Sequence, residues 1–157
     1  MKTRIITTAL VAAIFALVAI NHAAADTPTL QHKINVTPEI KKAFNGSDSI
    51  EIRQITGTAS KFQVGGTYRV TGICHQQSLK HATLYIGNTA ETGPDAITAT
   101  TGSSLFKPLS DTRTEFDVTF TVLRPGILHV TIYDIDNHDK NDNAYAGIYL
   151  GDVVFKR

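Results

Sequence analysis

Apolar and polar residues alternate along most of the chain after residue 48. The clearest case is Phe116–Val122, in which every second residue is apolar. A period of two places these apolar side chains on one face of a strand, and that face is expected to be buried. The same period predicts a strand over Ile127–Asp136 that buries Leu128, Val130 and Ile132 and turns the residues between them outward.

Shorter alternating segments predict the other strands. They are 50–56, 67–74, 82–86 and 147–155, with a weaker strand at 97–100. The phase of the last segment slips around Gly151, as it does at a β-bulge. About seven or eight short strands without intervening helices predict an all-β fold, an antiparallel β-sandwich over residues 48–157. A parallel sheet would need crossover helices, and the pattern shows none.

Residues 26–47 are predicted to form an extended leader that contains one short helix. The helix is expected over Pro38–Phe44, with Thr37 as its cap and proline at the first helical position. Asn45-Gly46 would end it.

Residues 1–25 show the pattern of a secretory signal peptide. Lys2 and Arg4 precede an apolar run over Ile5–Ile20, and the small residues 23–25 follow it. The run is shorter than the roughly 20 residues of a membrane span, although an uncleaved anchor remains the alternative. The pattern predicts cleavage after Ala25 and a periplasmic or secreted protein. No cysteine lies near this point, which excludes lipidation there.

Composition narrows the function classes. Without Lys2 and Arg4, the chain has 13 basic and 14 acidic residues, so its charge does not favour nucleic acid or an anionic membrane surface as a partner. Cys74 is the only cysteine, and an internal disulfide is therefore excluded. The fold must be stabilised by its hydrophobic core.

The densest cluster of oxygen-bearing side chains follows the strand that ends near Asp136. It supplies five candidate metal ligands: Asp134, Asp136, Asp139, Asp142 and Asn137. Calcium takes six to eight oxygen ligands from flexible loops, and a divalent ion would neutralise the repulsion between the carboxylates. The spacing does not fit an EF-hand, because its required glycine is missing. A solvated polar turn is the other interpretation, since Asp and Asn favour turns for their own reasons.

This loop resembles the third calcium-binding loop of C2 domains. The matching residues are Tyr133, Asp134, Asp136 and, six positions later, Asp142. The resemblance covers residues 116–150 and implies a C2-like or jelly-roll-like sandwich with one calcium ion at one end. The segment 75–80, which corresponds to the first calcium loop of that family, contains no aspartate.

No pattern of catalytic residues stands out. The G-x-S-x-G motif is missing, and Cys74 and His75 are neighbours in a strand, so their side chains point to opposite faces. Tyr133 and Tyr145 lie beside the acidic loop and are the candidate ligand-binding residues.

The sequence therefore favours an exported, non-catalytic binding or adhesion module with a calcium-binding loop. Its partner would be an unidentified protein, glycan or envelope component, although the lack of tryptophan argues against sugar stacking. An envelope structural or assembly protein without metal is the first alternative, and a small exported enzyme is the second.

Overall fold

The computed structural model describes residues 28–89, 97–99, 106–109, 112–139 and 143–154. Ten strands form within these residues, and no helix in them is long and apolar enough to cross a membrane. The strands are β1 (His32–Lys33), β2 (Glu39–Lys42), β3 (Ser49–Gly57), β4 (Thr67–His75), β5 (Ala82–Thr89), β6 (Ile97–Ala99), β7 (Phe106–Leu109), β8 (Arg113–Val122), β9 (Gly126–Asp134) and β10 (Ala144–Val153). The predicted signal peptide lies outside the described residues.

The strands form two antiparallel sheets of five strands each. Sheet 1 has the order β1-β3-β4-β8-β6, and sheet 2 has the order β2-β10-β9-β5-β7. Buried apolar side chains from both sheets make one continuous core. This arrangement confirms the predicted all-β antiparallel sandwich.

The alternating segments form the inner faces of the sheets, as predicted. In β8, Phe116 and the three apolar residues at alternate positions after it are buried. In β9, Leu128, Val130 and Ile132 are fully buried. The predicted bulge is also present, because the pairing between β9 and β10 shifts register between Tyr149 and Gly151. Burial of one face therefore set the phase of these strands.

The predicted helix over Pro38–Phe44 is wrong. Residues Glu39–Lys42 form strand β2 instead, which pairs with β10 at the edge of sheet 2. A helix of seven residues is too short to be stable alone, so tertiary contacts decide the conformation of this segment. Pairing as a strand satisfies backbone groups of β10 that would otherwise be unpaired.

Tyr68 anchors the connection between β3 and β4 in the core. Its hydroxyl donates a hydrogen bond to the carbonyl oxygen of Lys61 and accepts one from the backbone N–H of Gln63, each at 2.8 Å. The ring packs edge-on against Phe62 with the ring centroids 5.1 Å apart. A Cβ atom at Gly66 would lie 2.2 Å from the Tyr68 hydroxyl oxygen, which explains the glycine at this position.

Candidate functional site

The acidic loop begins where β9 ends, and its first residues are held by the backbone. The N–H of Asp134 donates to the carbonyl oxygen of Asn143 at 2.9 Å, and that of Ile135 donates to the carbonyl oxygen of His81 at 3.1 Å. One carboxylate oxygen of Asp134 accepts the N–H of Asp136 at 3.0 Å. These bonds fix the start of the loop against both neighbouring strands.

The other predicted calcium ligands contact different partners and do not converge on one point. The carboxylate of Asp136 lies 3.0 Å from Nδ1 of His81, and both side chains are about half exposed. The side-chain oxygen of Asn137 accepts the N–H of Asp139, a turn that Asn forms readily. Asp142 lies outside the described residues.

The described part of the loop does not gather a set of metal ligands. Among the residues that the structure places, no three His, Cys, Asp or Glu side chains come together in a way that would hold a metal ion. The Asp136 carboxylate instead has an imidazole beside it. Calcium binding remains a prediction from the sequence.

Tyr145, one of the two candidate ligand-binding tyrosines, connects the loop end of the sandwich to buried Asp48. Its hydroxyl donates to a carboxylate oxygen of Asp48 at 2.8 Å and accepts the N–H of Asn45 at 3.1 Å. Asp48 also accepts the N–H groups of Gln77 and Ser78. Burial acts to raise the pKa of Asp48, but these hydrogen bonds outweigh it and lower the pKa below its usual value. The Tyr145 hydroxyl is thus committed to a structural network.

Tyr133, the other candidate, lies in a groove on the outer face of sheet 2. Three aromatic side chains from three adjacent strands line it: Tyr85 of β5, Phe106 of β7 and Tyr133 of β9. We call this surface, together with Thr83 and Ile135, the aromatic groove. Its volume is about 660 Å³, which lies within the range of small-molecule sites.

Strand register brings the three rings together. Tyr85 pairs directly with Phe106 on one side, and Thr83 pairs with Tyr133 on the other. Directly opposed side chains on one face of a sheet are close enough for aromatic contact. The rings of Tyr85 and Phe106 stack with centroids 4.3 Å apart and planes at 25°, and Tyr133 meets Tyr85 edge-on at 6.1 Å.

Two apolar side chains of the groove are unusually exposed. Phe106 is 56% exposed and Ile135 is 51% exposed. Large apolar side chains that gather on a surface commonly mark a binding site. Burial raises the pKa of the Tyr133 hydroxyl, so that group stays protonated and can donate a hydrogen bond.

Four polar residues form a rim at the loop end of the groove. These rim residues are Asp134, Asn137, His138 and Asn143. Three of them, Asp134, Asn137 and Asn143, also line a second cavity of about 450 Å³ beside Tyr145. These three loop residues therefore separate two concave surfaces, and Tyr133 and Tyr145 lie in different ones.

His129, on the central strand of sheet 2, packs against Tyr85 of the aromatic groove. It lies on the outward face of β9, as predicted, yet is only 6% exposed. Its ring meets that of Tyr85 edge-on with centroids 6.2 Å apart, and its Nδ1 lies 2.8 Å from the hydroxyl of Thr131. Burial, helped by the positive charge of Lys41, lowers the pKa of His129 to about 4.

Gly87 leaves room for this contact. A Cβ atom there would lie 2.2 Å from the ring of Tyr85 and 3.0 Å from the ring of His129. The backbone of β5 therefore approaches both rings closely, and only glycine fits without displacing one of them.

Cys74 does not contribute a reactive thiol. It is fully buried in the core, and burial together with the charge of Asp48 raises its pKa to about 12. A thiol in such surroundings stays protonated.

The sequence predicts only part of the aromatic groove. Among its lining residues, the sequence marks Tyr133, Asp134 and Asn137 as candidates. It does not mark the others, which are Thr83, Tyr85, Phe106, Ile135, His138 and Asn143. The outward position of Tyr85 follows from the burial of Leu84 and Ile86 beside it. Its pairing with Phe106 depends on strand order, which the alternation does not encode.

Comparison of the chain with protein-family models, curated proteins and solved structures finds no match.

Proposed function

We propose that this protein is an exported, non-catalytic binding module that holds its ligand in the aromatic groove. The observation that carries this proposal is the meeting of three aromatic rings from β5, β7 and β9 beside a polar rim. A mostly apolar concave surface with a few polar groups at one side is typical of a ligand site. Export is part of the proposal because of the pattern of residues 1–25.

The position of the groove favours binding without large rearrangement. Tyr85 and Tyr133 project from β5 and β9, two strands that pair along eight consecutive residues in the middle of sheet 2. Side chains on regular strands are held more firmly than side chains on loops. These two rings are thus held in place before a ligand binds, which lowers the entropic cost of binding.

The polar rim favours recognition over catalysis. Its titratable side chains are Asp134 and His138, and Asp134 already accepts a backbone N–H of the loop. A hydrolytic site needs a nucleophile or base held against its partner. The His81–Asp136 pair has that chemistry, but neither residue is among those lining the aromatic groove.

A thermal-shift screen of the protein expressed from the full-length chain tests this function. The library should contain sugars, amino acids, quaternary amines and short peptides. We expect compounds that raise the melting temperature of the wild type to lose this effect in Phe106→Ala. Ile40→Ala is the matched control, because Ile40 is another exposed apolar residue of sheet 2, 68% exposed, and does not line the groove. Compounds that stabilise the wild type and Phe106→Ala equally would contradict the proposal.

A further inference from the structure

We propose that Asn45 is a site of spontaneous deamidation, and that isoaspartate formed there loosens the attachment of the β2–β3 connection to β10. The site is the Asn45-Gly46 dipeptide, which begins the turn before Asp48. Neither residue lines the aromatic groove, and the reaction proceeds whether or not a ligand binds there.

Deamidation requires an asparagine side chain followed by an unhindered backbone nitrogen. The nitrogen of Gly46 attacks Cγ of Asn45, and a C–N bond forms. The bond from Cγ to the side-chain amide nitrogen breaks, and ammonia leaves with the proton that the nitrogen of Gly46 has lost. Water then opens the resulting succinimide ring at either carbonyl carbon. One opening gives aspartate at position 45, and the other gives isoaspartate, in which the main chain runs through the former side chain.

The structure leaves this dipeptide open to the reaction. Both residues are exposed, and a Cβ atom at Gly46 would meet no described atom within 4 Å. Glycine adopts positive and negative φ with similar ease, so the chain can rotate here from its φ of +57° into the geometry of attack. No hydrogen bond of the Asn45 side-chain amide or of the Gly46 N–H is found in the described part of the chain. Neither reacting group must therefore break a hydrogen bond first.

Two other described asparagines lack one of these features. Asn35 is exposed, but Val36 follows it, and the branched side chain of valine restricts rotation and crowds the attacking nitrogen. Asn88 is tied down, because its side-chain N–H donates to the carbonyl oxygen of Arg124 at 2.8 Å. Of these three asparagines, Asn45 should react fastest.

The backbone of Asn45 belongs to a closed set of hydrogen bonds. Its N–H donates to the Tyr145 hydroxyl, and its carbonyl oxygen accepts the N–H of Asp48, each at 3.1 Å. The Tyr145 hydroxyl donates to the Asp48 carboxylate at 2.8 Å. These three residues fasten the β2–β3 connection to β10.

Isoaspartate opens this set of bonds. The main chain gains one methylene group, and the carbonyl group that accepted the N–H of Asp48 becomes part of a free carboxylate. This carboxylate adds a negative charge next to the buried carboxylate of Asp48, and like charges repel. The lengthened chain also displaces the N–H that bonds to Tyr145. The connection is then held less firmly against β10.

Peptide mapping of the protein expressed from the full-length chain tests the site. The protein is incubated at physiological temperature and mildly alkaline pH, where the attacking nitrogen loses its proton more readily. It is then digested at mildly acidic pH, so that little deamidation occurs during digestion. Mass spectrometry and enzymatic methylation of isoaspartate should show conversion at position 45 about tenfold faster than at position 35. The melting temperature should fall by about 2–5 °C as isoaspartate accumulates, the shift expected for the loss of about one hydrogen bond.

Three variants connect the chemistry to its structural effect. Asn45→Gln should keep its melting temperature during incubation, because glutamine would have to close a larger ring. Asn35→Gln is the matched control, an exposed asparagine changed in the same way, and should age like the wild type. Tyr145→Phe lacks the hydroxyl from the start, so it should convert at position 45 while its melting temperature falls less than about half as far.

Each part of the proposal has a result that would overturn it. Conversion at position 45 no faster than at position 35 would remove the site. An equal fall in melting temperature for the wild type and Asn45→Gln would show that the loss has another origin. An equal fall for the wild type and Tyr145→Phe would show that isoaspartate does not act through the bonds between Tyr145 and Asp48.

Discussion

Lowering the pH from about 7.5 to about 4.5 should destabilise the protein through the buried imidazole of His129. The ring belongs to β9, the central strand of sheet 2, and lies against Tyr85 and the Thr131 hydroxyl, with the charge of Lys41 nearby. A positive charge in this position would lose its hydration and would be repelled by Lys41. The folded protein therefore keeps the imidazole neutral.

The size of the effect follows from the pKa. Burial lowers the pKa of His129 from 6.5 to about 4. Between these values the unfolded chain binds the proton and the folded chain does not, so protons favour the unfolded state. The contribution of His129 is fully present above pH 6.5 and is lost as the pH falls through 4. At pH 4.5 the loss is about 2–3 kcal/mol, a large fraction of the 5–15 kcal/mol that stabilises a typical domain.

Urea unfolding of the wild type and His129→Gln at both pH values measures this loss. Glutamine keeps a polar group that can bond to Thr131 but does not titrate. Both proteins will lose stability as carboxylates are protonated, and the wild type should lose about 2–3 kcal/mol more than the variant. An equal loss in the two proteins, or a pKa above 6 for His129 in an NMR titration, would show that burial does not keep this imidazole neutral.

Three further predictions concern the core, the groove and the acidic loop. Tyr68→Phe should lower the free energy of unfolding by about 1–3 kcal/mol in urea, because it removes both hydrogen bonds of a buried hydroxyl; an unchanged midpoint would contradict this. Gly87→Ala should displace the ring of Tyr85, destabilise the fold by about 1–3 kcal/mol and weaken groove ligands in calorimetry, whereas unaltered affinity would show that the ring does not move. If the acidic loop binds calcium as the sequence predicts, millimolar calcium should raise the melting temperature by several degrees relative to excess chelator. Asp134→Asn and Asp136→Asn should abolish this rise. No rise in the wild type would mean that the loop is a polar turn.

The alternation of apolar residues was sufficient to predict the central strands. Phe116–Val122 and the inward residues of β9 lie where a period of two places them, because burial of one sheet face tolerates no shift in register. Local signals failed at Pro38–Phe44, where proline and a capping residue favoured a helix. There, pairing with the edge strand β10 determined the structure. The residues of this segment do not by themselves indicate that pairing.

The candidate site was predictable only in part. The loop residues and Tyr133 stand out because they are clustered in sequence. The groove depends on the pairing of Tyr85 with Phe106, which lie on strands separated by β6 along the chain and joined only through the order of sheet 2. No alternation pattern records which strands become neighbours. Tyr145 is the opposite case, a predicted site residue that the structure engages elsewhere. Its position beside the loop in the sequence suggests ligand binding, but its hydroxyl donates a hydrogen bond to Asp48.

Ligand binding in the aromatic groove can be followed at the aromatic ring signals of the protein. In a two-dimensional NMR titration with the compound that gives the largest thermal shift, the ring signals of Tyr85, Phe106 and Tyr133 should move together and saturate at one dissociation constant. The ring signals of Tyr68 and Tyr145, which are held in hydrogen bonds outside the groove, should stay in place. Saturating shifts at Tyr145 with unmoved groove rings would place the ligand in the cavity beside Tyr145 and would rule out binding in the aromatic groove.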